Sequence, residues 1–258
     1  MTRRLSLSLL AIVASLSVVV AACGAATPLA PTLTDPKEIL STSIVSVKDV
    51  KTLEFTGTFS GTVKAAQLGD IDLSTVKLSG SIDIPNKKLK FSLDAPTLLG
   101  TKVDALIIDK VAYYKLAGPF AAMLGASADK YTKADVPTAS GNPAADLTDV
   151  AAAVAQIKAG LDKLPTPPTK GADKKCGDQD CYHVTLKVTS ADMLALDPTA
   201  SVNGDVSLDL WSRKSDNRPA KITFAVTTVD LGTFGMTLEM KYDVPVTVDA
   251  PPADQIAP

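Results

Sequence analysis

Cys23 closes the tetrapeptide Val20-Ala21-Ala22-Cys23 and is followed by Gly24. An aliphatic residue, two small residues and a Cys at the end of a short apolar stretch form a bacterial lipobox. In that pattern the Cys thiol receives a diacylglyceryl group and a peptidase cuts just before the Cys. Arg3 and Arg4 supply a positive n-region, and Leu5 to Ala22 carries no charge. A membrane-crossing helix is the competing reading. The uncharged run only just reaches that length, Ser6, Ser8, Ser15 and Ser17 dilute it, and a crossing helix gives no reason for Ala-Ala-Cys-Gly at its end. Residues 1–22 therefore read as a lipoprotein signal peptide. Each buried lipid CH2 contributes about 0.8 kcal/mol, and a second acyl chain turns marginal membrane binding into stable anchoring. A Cys23 carrying palmitate-type chains would hold the mature protein at the extracytoplasmic face of the cell membrane.

The other thiols, Cys176 and Cys181, are separated by the turn-forming Gly177-Asp178-Gln179-Asp180. In an exported chain they read as a structural disulfide. A metal or redox site is the rival, since the single His, His183, lies two residues on. The spacing is not Cys-x-x-Cys and there is no second ligand pair, so no metal is assigned. By strand parity Tyr182 and Val184 face the core and His183 faces out, a solvated surface position. Trp211 breaks the parity of Leu208 and Leu210 and should also lie on the polar face. No nucleophile elbow, phosphate loop, dinucleotide fingerprint or zinc-protease motif is present, and Asp70, Asp72, Asp83 and Asp94 fall at strand ends and turns. No catalytic residue and no cofactor is expected.

The elements that must carry these residues follow from periodicity. Residues 23–34 form a lipidated tether of small residues and prolines, of which residues 24–34 reach at most about 40 Å. Asp35-Pro36-Lys37-Glu38 is a helix start, with Asp as N-cap and Pro at the first position. Ile39, Leu40, Ile44 and Val47 make one stripe of a helix ending near Lys51. The period then becomes two. Leu53, Phe55 and Phe59 share a parity, as do Leu78 and Ile82, then Phe91 and Leu93, which predicts antiparallel strands with one face in solvent. Val103–Ile108 and Val111–Leu116 pair through Asp109-Lys110. Gly57, Gly61 and Gly80 predict bulges or bends. Pro119 to Pro143 reads as a loop with a short helix at residues 121–126. Asp146 to Leu164 is an amphipathic helix with Leu147, Val150, Val154, Ile157 and Leu161 on one face. A second meander carries Leu186, Leu208 and Phe224, then Phe234, Met236, Leu238 and Met240. Val244, Val246 and Val248 are expected to finish the sheet.

Composition agrees with an aliphatic interior: hydrophobic residues are 46% of the chain and aromatics only 5%. The net charge of −2, about −4 once Arg3 and Arg4 are removed with the leader, leaves no electrostatic footprint for nucleic acid.

The C-terminal run Tyr242-Asp243-Val244-Pro245-Val246-Thr247-Val248-Asp249-Ala250-Pro251-Pro252-Ala253-Asp254-Gln255 closely resembles the ending of the LppX/LprG (LppX_LprAFG) lipoprotein family. So does the order of features: lipobox, tether, capped helix, strands, then Asp180-Cys181-Tyr182-His183-Val184 opening a second set of strands. The resemblance spans nearly the whole mature chain. It implies an α+β fold over residues 35–258, a strongly curved antiparallel β half-barrel with helices covering the concave face, related in shape to LolA/LolB carriers. It also implies a non-enzymatic function: binding acylated lipids or glycolipids in an apolar cavity and carrying or presenting them at the envelope. The family's pocket has no motif to carry over, and the alternation itself gives the expected lining: Leu53, Phe55, Phe59, Leu78, Ile82, Phe91, Leu93, Leu186, Leu208, Phe224, Phe234, Met236, Leu238 and Met240 on the strands, and Leu147, Val150, Val154, Ile157 and Leu161 on the helix. The implied partners are a lipid or glycolipid, the membrane through Cys23, and an envelope transporter, with the chain a monomer. A structural or interaction lipoprotein with a dry core, such as an adhesin or assembly factor, is the alternative.

Overall fold

The computed structural model describes residues 32–65, 69–119, 121, 126–136, 150–163, 165–196, 204–228 and 232–257. Cys23, Leu147, Leu164 and the interior of the expected 121–126 helix lie outside them. Helix α1 (Pro36–Val45) starts as its sequence demands: the Asp35 carboxylate accepts from the Lys37 N–H at 2.8 Å, and Pro36 occupies the first turn, where no donor is needed. A 3₁₀ turn over Ser46–Asp49 carries the chain into the sheet.

The strands are β1 (Thr52–Ala65), β2 (Gly69–Asp72), β3 (Lys77–Asp83), β4 (Lys88–Ala95), β5 (Thr101–Ile108), β6 (Val111–Ala117) and β7 (Thr132–Asp135). After helix α2 (Val150–Asp162) come β8 (Thr169–Lys170), β9 (Lys174–Cys176) and β10 (Gln179–Val188). Helix α3 (Ser190–Leu196) precedes β11 (Gly204–Arg213), β12 (Pro219–Thr228) and β13 (Gly232–Tyr242). Eleven strands follow one hydrogen-bonded order, β7-β6-β5-β4-β3-β1-β13-β12-β11-β10-β8, with β2 added to β1 and β9 to β10. The named pairings are antiparallel. The sheet does not close into a barrel: β7 and β8 are its two ends. Leu33–Pro258 forms one compact unit around it.

Three expectations change. The loop after Pro119 contains β7, a strand too short and polar to show an alternation; it is held by pairing with β6. Gly57 and Gly80 make no bulge, because β1 keeps regular register with β3 and β13 through them. Gly80 instead leaves room for the Phe55 ring, which a Cβ there would overlap. The register shift lies elsewhere, at Trp211/Ser212. Finally, Val244, Val246 and Val248 are not a strand. Asp243 takes a left-handed φ of 55° and turns the chain out of β13, and Pro245 has no N–H to give a ladder.

That C-terminal segment becomes a strap. The Asp243 N–H donates to the Thr52 carbonyl at 2.8 Å, and the Thr52 hydroxyl donates to the Val244 carbonyl at 2.6 Å. Asp249 pairs with Lys88 on β4 at 3.8 Å. The Tyr131 N–H donates to the Gln255 carbonyl and the Ala257 N–H to the Tyr131 carbonyl, at 2.7 and 2.8 Å. Val248, only 3% exposed, is buried along the way. The strap therefore ties β1, β4 and the entry to edge strand β7 together.

Candidate functional site

Antiparallel partners point to the same side of a sheet, so the register sorts its residues into two faces. One continuous row runs Val184, Leu210, Ile222, Leu238, Gly57, Leu78, Leu93, Val103, Leu116 across nine strands, from β10 to β6. The row beside it runs Leu186, Leu208, Phe224, Met236, Phe59. On the other side lie Met240, Phe55, Gly80, Phe91, Ala105, Tyr114, followed by Tyr242, Leu53, Ile82, Leu89, Ile107. Phe234 completes the same face opposite Val226. All fourteen strand residues expected to share a face do so: Leu53, Phe55, Phe59, Leu78, Ile82, Phe91, Leu93, Leu186, Leu208, Phe224, Phe234, Met236, Leu238 and Met240. Val103, Ala105, Ile107, Tyr114 and Leu116 extend it, and the alternation within residues 103–116 already carried that signal.

This face is covered unevenly. Around β10–β12 a helix packs on it and buries Val184 and Leu210, while Leu208, Ile222 and Phe224 are half-buried. Ile39 and Leu40 of α1 form a buried cluster with Tyr182, Val184 and Leu210, against which Leu33, Ile44, Leu161, Leu208 and Ile222 pack. Polar clamps hold the helix there. The Asn217 carbonyl accepts from the hydroxyls of Ser43, Ser46 and Ser212 at 2.8, 3.1 and 2.9 Å, and the Tyr182 hydroxyl accepts from the Leu33 N–H at 3.0 Å. Over β1, β3, β4 and β13 the same face is different: Phe55, Phe59, Leu78, Phe91, Leu93, Met236, Leu238 and Met240 are only half-buried. Among the described helices, α1 packs on β8, β10 and β11 and α3 on β10, while α2 packs on α1 and the 46–49 turn.

Of the helical candidates, Val154 is half-buried and Leu161 packs on the cluster, whereas Ile157 is 53% exposed. Val150 opens α2, and its side chain lies outside the described ones. Between α1, α2 and Leu186 there is a pocket of about 110 Å³, lined by Leu40, Leu161 and the 165–168 turn, with Lys37 and Lys158 at its rim. It falls below the usual range of about 300–1,000 Å³ for a small-molecule site.

Polar chemistry sits off this face. His183 and Trp211 are cross-strand partners on the opposite, polar side. His183 is not solvated as its parity suggested: its side chain is 19% exposed, because Trp211 stacks on the ring at 4.6 Å between centroids. Its Nε2 lies 2.7 Å from the Asp209 carboxylate, which also accepts from the Thr185 hydroxyl at 2.7 Å. The other ring nitrogen packs on Gly171, where even a Cβ would overlap it. The imidazole thus has one nitrogen committed and one covered, a geometry that gives it no reach to a substrate. Cys176 and Cys181 are bonded, with Cα atoms 5.9 Å apart, and staple the β9–β10 turn. Just past the end of β13 the Lys51 N–H and the Arg218 guanidinium, both on its carboxylate, hold Asp243 below the usual carboxylate range. Burial pushes the Tyr242 phenol far up, against Arg213 and Arg218 beside its ring.

No family model and no curated protein matches the sequence. Solved structures do match the fold. Lipoprotein LppX of Mycobacterium tuberculosis is 14% identical with a TM-score of 0.51, covering 83% of this chain and 98% of its own. LprF from Mycobacterium bovis is 12% identical with a TM-score of 0.52, covering 84% and 96%. At this identity the likeness is one of fold: the chain has the LppX/LprF architecture.

Proposed function

We propose that the protein is a bacterial lipoprotein, anchored through Cys23 at the outer face of the cell membrane, that binds acylated lipids or glycolipids and carries or presents them in the envelope. The observation that carries the reading is the apolar face that runs across nine strands, packed under α1 around β10 and β11 and lined by half-buried Phe, Leu and Met over β1, β3, β4 and β13. Burying a lipid there removes apolar area from water on both partners, at about 25 cal/mol per Å². An acyl chain needs no polar recognition, which fits a face whose lining is Leu, Phe, Met and Val. The LppX/LprF fold and the lipobox both support the assignment to a lipoprotein.

Residues 35–258 would act as a single lipid-binding domain on the tether of residues 23–34, with the apolar face as the inside of a curved half-barrel. The test is native mass spectrometry of protein purified from a bacterial membrane, before and after organic extraction. A lipid adduct that extraction removes supports the reading; apo protein throughout sinks it. The small pocket between α1 and α2 favours a dry core at that end. If the whole face proves dry, the protein is an interaction lipoprotein instead, and crosslinking at the cell surface would recover a protein partner.

A further inference from the structure

The disulfide hairpin does more than end a strand. Its residues Lys175–Gln179 stand over the polar face and, with Glu54, Thr56, Lys221, Glu239 and Lys241, enclose a groove of about 640 Å³. This volume lies within the range of small-molecule sites. The Cys176–Cys181 bond fixes the hairpin wall covalently. The side chains of Glu54, Thr56, Glu239 and Lys241 in its lining point away from the apolar face, because they alternate with Phe55, Met240 and Leu238 along β1 and β13; Phe55, Met240, Tyr242 and Val244 also border the groove.

The floor limits what it can bind. Strands β12, β13 and β1 are each paired on both sides, so their main-chain groups are spent and an extended peptide cannot add to them. Recognition falls to side chains. Those of opposite sign interleave: Glu54 faces Lys241 across the β1–β13 pair, and Lys221 faces Glu239 across β12–β13. The Lys241–Glu54 contact is 3.4 Å, whereas Glu239 and Asp178 make no ion pair with another described residue. A strong polyanion would meet these carboxylates, and a polycation would meet Lys175, Lys221, Lys241 and Arg213. A hydroxyl both donates and accepts, and so matches alternating acids and amines. We propose that this groove binds a saccharide chain, as a free glycan or as the headgroup of a glycolipid. It stands independently of lipid binding on the other face.

The experiment is a titration of the protein with tetrasaccharides of glucose, mannose and N-acetylglucosamine, free or acylated, read by backbone amide shifts. Inorganic pyrophosphate is the anionic control. Shifts at Gly177–Gln179, Lys221 and Glu239 are expected with at least one sugar; whether they need the acyl group decides its source. Glu239→Ala should weaken binding about tenfold, the loss of one or two hydrogen bonds. Cys176→Ser with Cys181→Ser should weaken it while leaving acyl-lipid binding unchanged; if that variant does not fold, Lys241→Ala takes its place. Shifts with pyrophosphate alone, no shifts at the groove with any sugar, or an affinity untouched by Glu239→Ala would overturn the proposal.

Discussion

The two halves of the apolar face are built from the same alternation but put to different use. Around β10–β12 the row meets Ile39 and Leu40 of α1, and Val184 and Ile39 reach complete burial. Around β1, β3, β4 and β13 most of the equivalent side chains are half-buried, with Leu89 and Tyr242 the buried exceptions. Among the described residues the difference lies in the helix that packs on one half, since Leu210 and Leu93 sit on one row. Stability should therefore concentrate in the first half and ligand binding in the second.

The sharpest way to break that division is Leu40→Ala. It leaves a cavity in the packed cluster and should cost about 2–5 kcal/mol in urea unfolding, with lipid binding retained while the protein is folded. Gly80→Val strikes the other half by driving Phe55 out of its place; about 1–3 kcal/mol of overpacking and weaker lipid retention are expected together. Removing the Cys176–Cys181 bond should cost about 2 kcal/mol on a chain-entropy estimate, without changing the lipid load. Phe91→Ala, on a half-buried side chain, should cost only about 1 kcal/mol yet lower lipid retention more than Leu40→Ala does. Equal effects of Phe91→Ala and Leu40→Ala on both readouts would erase the distinction between the halves.

The smallest effect concerns the strap. Asp243 has its folded value lowered beneath 3.8 by the Lys51 N–H and Arg218. Its contribution is complete above that unfolded value and is lost as the pH falls below it through the folded one. The carboxylate is well exposed, so after solvent screening the change stays under about 1 kcal/mol. It should appear as faster amide exchange of Tyr131 and Ala257 in acid, absent from Asp243→Asn.

Much of this was legible in the chain. The parity of Leu53, Phe55 and Phe59, repeated through Leu238 and Met240, placed every strand candidate on one face, because a sheet with one buried side imposes period two. The Asp35 cap was equally plain. What alternation cannot say is which part of the face a helix will cover, and so the helix-packed and half-buried halves read alike. Val244-Pro245-Val246-Thr247-Val248 alternates like a strand, yet Asp243 and Pro245 decide its path as a strap. His183 had the right face and the wrong environment: its cross-strand neighbour Trp211 lies 28 residues away in sequence, so only register brings the rings together.

The central claim, that the half-buried side of the apolar face holds acyl chains, is tested most directly by photolabelling with a fatty acid carrying a diazirine along its chain, followed by peptide mapping. Labels on residues 53–59, 78–93 and 234–240, with few on residues 182–186 and 208–212, are the expected result. Labels confined to the β10–β11 peptides or to the polar-face hairpin, or none at all, would contradict it.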